Sequence, residues 1–147
     1  NAHVVGNKKI VNLENFKGEE FTGRVVKTGI EVDLALIKVN KQGTPVEFRD
    51  PMKKIKVGTE VEAIGHPKGY DYSINRGVVS GLRKVSLMDF GREVRYIQSD
   101  VPINPGNSGG PLFIGNEVIG VNTWKDPRVE AGLNFAIYYS EVIDFVN

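Results

Sequence analysis

The apolar residues of this chain come in short runs, rich in Val and Ile and separated by the 17 glycines spread along 147 residues. Runs of about four to eight residues bounded by turn formers are the length of strands and too short for amphipathic helices, so the chain is expected to be all-β. Strands are predicted over Glu20–Thr28, Leu34–Val39, Thr59–Ile64, Ile74–Val85, Val94–Ser99, Pro111–Ile114, Val118–Thr123 and Leu133–Tyr138. Only the last residues, 140–147, read as helix. There Ser140 can cap a short turn whose apolar face is Val142, Ile143, Phe145 and Val146.

Between the early and late strands, residues 40–58 carry Gly43, Pro45, Pro51 and a cluster of Lys53, Lys54 and Lys56. This segment reads as a connection, and its lysines as a solvated face. A chain of this length can bury roughly 70% of its unfolded surface, enough for a true core. With 19 basic and 18 acidic side chains the formal charge is +1, which gives no electrostatic reason for a nucleic-acid or membrane-surface partner. The absence of cysteine excludes disulfides, thiol catalysis and cysteine-ligated metals. No apolar run approaches the ~18 residues of a membrane span.

The most informative stretch is Asn104-Pro105-Gly106-Asn107-Ser108-Gly109-Gly110-Pro111-Leu112. Glycines on both sides of one serine allow a tight turn and let a carbonyl approach main-chain N–H groups, as an oxyanion hole requires. Gly106 and Ser108 are the expected donors, with Asn107 between them in the same loop. Alone, Gly-x-Ser-x-Gly also describes an ordinary glycine-rich turn, and it matches the nucleophile elbow of α/β-hydrolases. In that fold the histidine follows the serine. Both histidines of this chain, His3 and His66, precede Ser108, so that fold is excluded if the base is a histidine.

A serine hydroxyl needs a base, usually a histidine held by a carboxylate. His3 and Asp33 can fill those places, in the His, Asp, Ser order of the chymotrypsin type. Asp33 opens the apolar run Leu34–Val39, where a carboxylate would be partly buried and would need a partner. His66 is the competing base. It stands in Gly65-His66-Pro67-Lys68-Gly69, a turn between strands where a surface histidine is the usual occupant.

Taken together, Asn1-Ala2-His3-Val4-Val5, Asp33-Leu34-Ala35-Leu36, Gly65-His66-Pro67 with Gly77-Val78-Val79-Ser80, Gly106-Asn107-Ser108-Gly109-Gly110-Pro111 and Gly132-Leu133-Asn134-Phe135-Ala136-Ile137 resemble the HtrA/Deg serine proteases. The resemblance covers essentially the whole chain. It implies a chymotrypsin/trypsin-like double β-barrel: residues 1–45 from the first barrel, 46–58 a connection, 59–139 the second barrel and 140–147 a C-terminal helix. His3 would be the general base, Asp33 its orienting acid and Ser108 the nucleophile. The family degrades unfolded or damaged proteins, mostly outside the bacterial cytoplasm, under stress and for quality control, and uses no metal or organic cofactor. Its protease domain begins well before the histidine motif, with further strands and a segment that builds a trimer, so the first barrel is expected to be incomplete here.

The residue before Ser108 is Asn107, uncharged, so the ion pair with a newly cut N-terminus that activates pancreatic-type enzymes is not available. HtrA-type proteins instead switch by ordering loops, here expected near Tyr70–Ser73, Val101–Gly106 and Thr123–Gly132. The P1 pocket is expected from Val101, Ile103, Val121, Asn122, Thr123, Leu133, Phe135 and Ala136. That largely apolar lining points to cleavage after small or medium apolar residues. Asp100 reads as a strand-end residue, not as the carboxylate of a trypsin-like pocket. Substrate backbone is expected to add a strand along Val121-Asn122-Thr123, with Trp124 a half-buried loop aromatic. The alternative reading is a peptide-binding or chaperone-like module that keeps the protease fold but is inactive in this form.

Overall fold

The computed structural model describes residues 1–66, 72–87, 91–125 and 133–147. Strands β1 (Ile10–Glu14), β2 (Glu20–Gly29) and β3 (Leu34–Val39) form an antiparallel sheet in chain order, with Ile10 opposite Arg24 and Gly29 opposite Leu34. The chain then crosses to β4 (Glu47–Phe48), β5 (Glu60–Gly65), β6 (Ser73–Leu87), β7 (Arg92–Ser99), β8 (Pro111–Ile114), β9 (Glu117–Lys125) and β10 (Asn134–Tyr138). In space these run β10-β7-β6-β5-β8-β9, and β10 pairs again with β9. The sheet therefore closes on itself. Every pairing in the ring is antiparallel, and closure leaves none of its strands as a free edge over its whole length.

All eight strands expected from the sequence are present. Three elements were not expected. Helix α1 (Ala2–Val5) is a single turn, too short to carry a helical repeat, and it holds His3. Strand β1 places only Val11 and Leu13 on its less exposed face, too few to announce an alternation. Strand β4 has two residues and lies inside the stretch read as a connection, pairing in parallel with Glu117 and Val118 of β9.

Two apolar clusters hold the parts together. One fills the closed ring with Val61, Ala63, Val79, Ile97, Val101, Leu112, Ile119 and Ala136. The other joins Val32 and Leu34, beside and within the three-stranded sheet, to Val94, Tyr96 and Ile137 of the ring and Val142 of the C-terminal helix. The second cluster is the joint between the two units, and it lies beside the residue that will matter most, Asp33.

The C-terminal helix α2 (Tyr139–Val146) begins one residue earlier than expected, straight out of β10, with Tyr138 at its N-cap. Ser140 is consequently inside the helix and does not cap it; its hydroxyl meets the Arg95 guanidinium instead. Glu141, in the first turn where a negative charge suits the helix dipole, is buried. Its carboxylate takes Arg92 Nη2 at 2.8 Å and the Arg95 main-chain N–H at 3.0 Å. At the other end Lys27 Nζ reaches the Phe145 carbonyl at 2.6 Å and lies over the Phe145 ring. A Cβ at Gly29 would stand 2.8 Å from that ring, so a glycine is what lets the helix approach β2.

Replacing Glu141 by Ala strands the Arg95 N–H and removes a charged acceptor, a loss of about 2 kcal/mol. For a chain of this size the thermal midpoint should fall by roughly 4–8 °C, measurable by circular dichroism.

Candidate active site

Asp33 sits at the mouth of β3 with φ +54°, the one non-glycine residue described in the left-handed region. Such a backbone costs an L-residue about 1–2 kcal/mol, and aspartate is among the few types that tolerate it. Its carbonyl is held by the Ala2 N–H and the Asn1 side-chain amide, both at 3.1 Å. This arrangement brings helix α1 against the start of β3. The carboxylate then receives His3 twice: Oδ1 accepts the His3 main-chain N–H at 2.9 Å, and Oδ2 lies 2.7 Å from the ring Nδ1. A carboxylate can only accept, so Nδ1 carries a proton, and in the neutral ring Nε2 keeps the lone pair.

A third donor arrives from the other unit. Thr123 Oγ1, almost fully buried, donates to Asp33 Oδ2 at 2.6 Å. Its aim comes from a bulge: Phe135 pairs with Trp124 and Ala136 with Asn122, leaving Thr123 as the extra residue of β9. Bulges re-aim side chains in this way. The same residue offers its carbonyl to Ser108 Oγ at 3.3 Å. Thr123 thus touches both the acid and the serine, a role that the sequence reading, which placed it in the substrate wall, did not find.

Ser108 is half-buried in the turn between β7 and β8. Asn107 N–H donates to the Asn104 carbonyl at 3.0 Å, Gly110 N–H to the Asn107 carbonyl at 3.0 Å and Gly109 N–H to the Asn122 carbonyl at 2.8 Å. Gly106 and Gly109 take φ +103° and +86°, which glycine adopts without strain. Among the described residues the N–H groups of Gly106 and Ser108 have no acceptor, whereas the Asn107 N–H is engaged. Of the three residues expected at the oxyanion hole, two therefore present free donors and Asn107 contributes a packed side chain.

The substrate-wall residues divide. Val101, Ile103 and Ala136 are buried together in the ring's core, while Val121 and Phe135 pack on the second cluster and Leu133 is half-buried. The expected open edge at Val121 and Asn122 is corrected: Val121 pairs with both Pro111 and Ile137, and Asn122 exchanges main-chain bonds with Gly109 and Gly110 on one side while pairing with Ala136 on the other. Among the described residues, pairing on the β8 side stops there, which leaves the backbone of Thr123–Lys125 as the unpaired edge. Asn122 is buried and donates Nδ2 to the Pro111 carbonyl at 3.3 Å. Asn134 is buried at the head of β10 and donates Nδ2 to the Val101 carbonyl at 2.7 Å.

Asp100 accepts the Val78 N–H on Oδ1 at 2.7 Å, consistent with its reading as a strand-end residue. His66 is exposed; its ring meets Tyr72 edge-on at 5.5 Å and its N–H reaches the Gly106 carbonyl at 3.3 Å, while Asp33 is bonded to His3. Of the expected switching loops, 70–71 and 126–132 lie outside the described residues, as does the side chain of Trp124. Among the described residues no group of three or more His, Asp or Glu side chains could hold a metal ion.

A histidine held by a carboxylate, a serine in a glycine turn and two free amides beside it are what peptide-bond hydrolysis by acyl transfer requires. Residues 1–121 match the family model described as "Trypsin-like peptidase domain". The chain belongs to that family. Within it the chain is similar to a "Probable periplasmic serine endoprotease DegP-like" of Pseudomonas putida, 39% identical over 150 residues that cover 100% of this chain and 31% of the relative. It is also similar to "Serine protease HTRA1" of Xenopus laevis, 36% identical over 152 residues covering 99% and 32%. A solved HtrA-type protease with a decapeptide superposes with a TM-score of 0.85 at 28% identity, covering 98% of this chain and 44% of that one. The chain spans about a third of the length of the curated relatives it matches. The trypsin-like double-barrel class and the HtrA type are those that the sequence motifs implied.

In the trypsin-like domain all three donors converge on the Asp33 carboxylate. Asp33→Asn has one acceptor oxygen for them, and the His3 main-chain N–H cannot turn away, so the amide NH₂ must face Nδ1. The neutral His3 ring should switch from the Nδ1-H to the Nε2-H tautomer, visible as exchanged ¹⁵N shifts of the two ring nitrogens.

Proposed function

We propose that this chain is the protease domain of an HtrA-type serine endopeptidase acting on unfolded or damaged polypeptides. The single observation that carries the reading is the Asp33 carboxylate held between His3 Nδ1 and Thr123 Oγ1, with Ser108 on the carbonyl of the same threonine. His3 Nε2 takes the Ser108 proton as Oγ attacks the scissile carbonyl; Asp33 stabilises the imidazolium, and the Gly106 and Ser108 N–H groups receive the oxyanion. The imidazolium then protonates the leaving amine, and water hydrolyses the acyl-enzyme by the same route. For the attack the serine hydroxyl turns from the Thr123 carbonyl toward His3.

Substrate backbone adds to the open edge at Thr123–Lys125, a mode that requires an extended chain and tolerates many sequences. The apolar surroundings of the nucleophile loop favour small or medium apolar residues at P1, and among the described residues Asp100, the carboxylate nearest the loop in sequence, is engaged with Val78. The names of the bacterial relatives support a periplasmic location for the whole protein, and its assembly as a trimer is an expectation from the family resemblance.

With a fluorophosphonate probe and unfolded casein as substrate, the protein should label and degrade, and Ser108→Ala should lose about 10⁴–10⁶ in turnover. Equal activity in both would remove the assignment. Peptide binding without labelling in either would favour a chaperone-like module. Peptide profiling should give cleavage after Val, Ala or Leu; cleavage mainly after Arg or Lys would overturn the P1 reading.

A further inference from the structure

The end of β5 lies directly under the nucleophile loop, and three consecutive residues touch it. The carbonyl of Ile64 lies only 2.6 Å from where a Cβ on Gly110 would stand, and the His66 N–H reaches the Gly106 carbonyl at 3.3 Å. Between them, a Cβ on Gly65 would stand 1.9 Å from Asn107 Oδ1, 2.8 Å from its Cγ and 3.1 Å from its Cα. Gly65 is absent from the residues with positive φ, so its backbone is one that other residues adopt. Space, not conformation, is what calls for glycine here.

The occupant of that space is the Asn107 side chain, completely buried, next in sequence to Ser108. Its Nδ2 donates to the Pro102 carbonyl at 3.2 Å, tying the approach to the loop to its tip. Its Oδ1 is buried without an N–H or O–H partner among the described residues. Given a Cα–Cβ bond of about 1.5 Å, the Gly65 Cα lies within about 3.4 Å of that oxygen, the range of a Cα–H···O contact. The glycine gives Oδ1 a close C–H neighbour and leaves the socket in which the side chain fits. The main chain of Asn107 is fixed as well, by Asn104 on one side and Gly110 on the other, so a displaced side chain must drag the loop with it.

We propose that Gly65 is a positioning residue for the oxyanion hole: the socket left by its missing side chain seats Asn107, and Asn107 in turn sets the directions of the Gly106 and Ser108 amides. Any methyl at position 65 would expel Asn107 and turn those amides away from the site. This inference rests on the protease reading of the same site, and names a residue that acts on the reaction without touching substrate.

The test is a double-mutant cycle on a peptide substrate, paired with amide hydrogen exchange of the segment 101–110 read by mass spectrometry. Gly65→Ala should lower kcat about 10²-fold, the effect of losing one oxyanion donor, with KM within threefold, and should speed exchange in 101–110 while the β6–β7 segments stay protected. Asn107→Ala, which empties the socket, should lose activity by itself. The variant carrying both substitutions should then match Asn107→Ala, because the Oδ1 and Cγ that the added methyl would strike are gone and only a tight 3.1 Å approach to the Cα of residue 107 is left. Losses that multiply in the double variant, or a Gly65→Ala protein with kcat within threefold and unchanged exchange, would overturn the proposal. Should Gly65→Ala fail to fold, the double variant must fold like Asn107→Ala; its failure too would overturn the proposal. A wild-type protein that neither labels with fluorophosphonate nor cleaves would sink the protease reading, and the exchange comparison would still decide whether Gly65 orders the loop.

Discussion

One half-buried carboxylate joins the two units of this molecule. Asp33 receives two donors from His3 on its own side and one from Thr123 of the closed ring, and these meet at two oxygen atoms. Charge-assisted bonds of this kind are worth roughly twice neutral ones, but their larger effect is geometric. Under the proposed mechanism His3 can be presented to Ser108 only when the sheet and the ring are docked in one orientation, and the apolar cluster of Val32, Leu34, Tyr96 and Ile137 beside Asp33 supplies the docking energy. Packing brings the units together, and the carboxylate sets their alignment.

The nucleophile loop is fixed by different means. It has no ladder of its own over residues 100–107, and bonds between side chains and main chain hold it instead. Asp100 takes Val78 N–H, Asn134 holds the Val101 carbonyl and Asn107 the Pro102 carbonyl. The two buried amides and the exposed carboxylate used this way satisfy backbone groups that a strand would have paired. They also mean that the loop's shape depends on a few individual bonds, each of which can be lost singly.

The strand-rich fold was legible because its signal is local: short β-branched runs between glycines. The His3–Asp33 pair was legible through residue type and order, since chemistry limits which groups can hold a histidine ring. Elements too short for a period, α1 and β4, left no trace. Nor did the position of Thr123, whose aim comes from a bulge created by the register of β9 on β10, a property of two strands that no single run of letters contains. The same limit explains the misplaced substrate edge. Val121 and Asn122 look like any strand end in sequence, and only the pairing of β8 shows that the ladder runs past them. Gly65 and Asn107 are 42 positions apart, and neither carries a pattern; what relates them is a shared volume.

The left-handed backbone of Asp33 has a consequence for how the position can change over time. Local conformational preference at residue 33 is for glycine or asparagine, while the site needs a carboxylate. A chain released from the demand for chemistry would find relief of backbone strain within one or two nucleotide changes of its aspartate codon. Neutral drift at position 33 would therefore meet no backbone penalty, and would leave a well-folded protein whose histidine has lost its carboxylate.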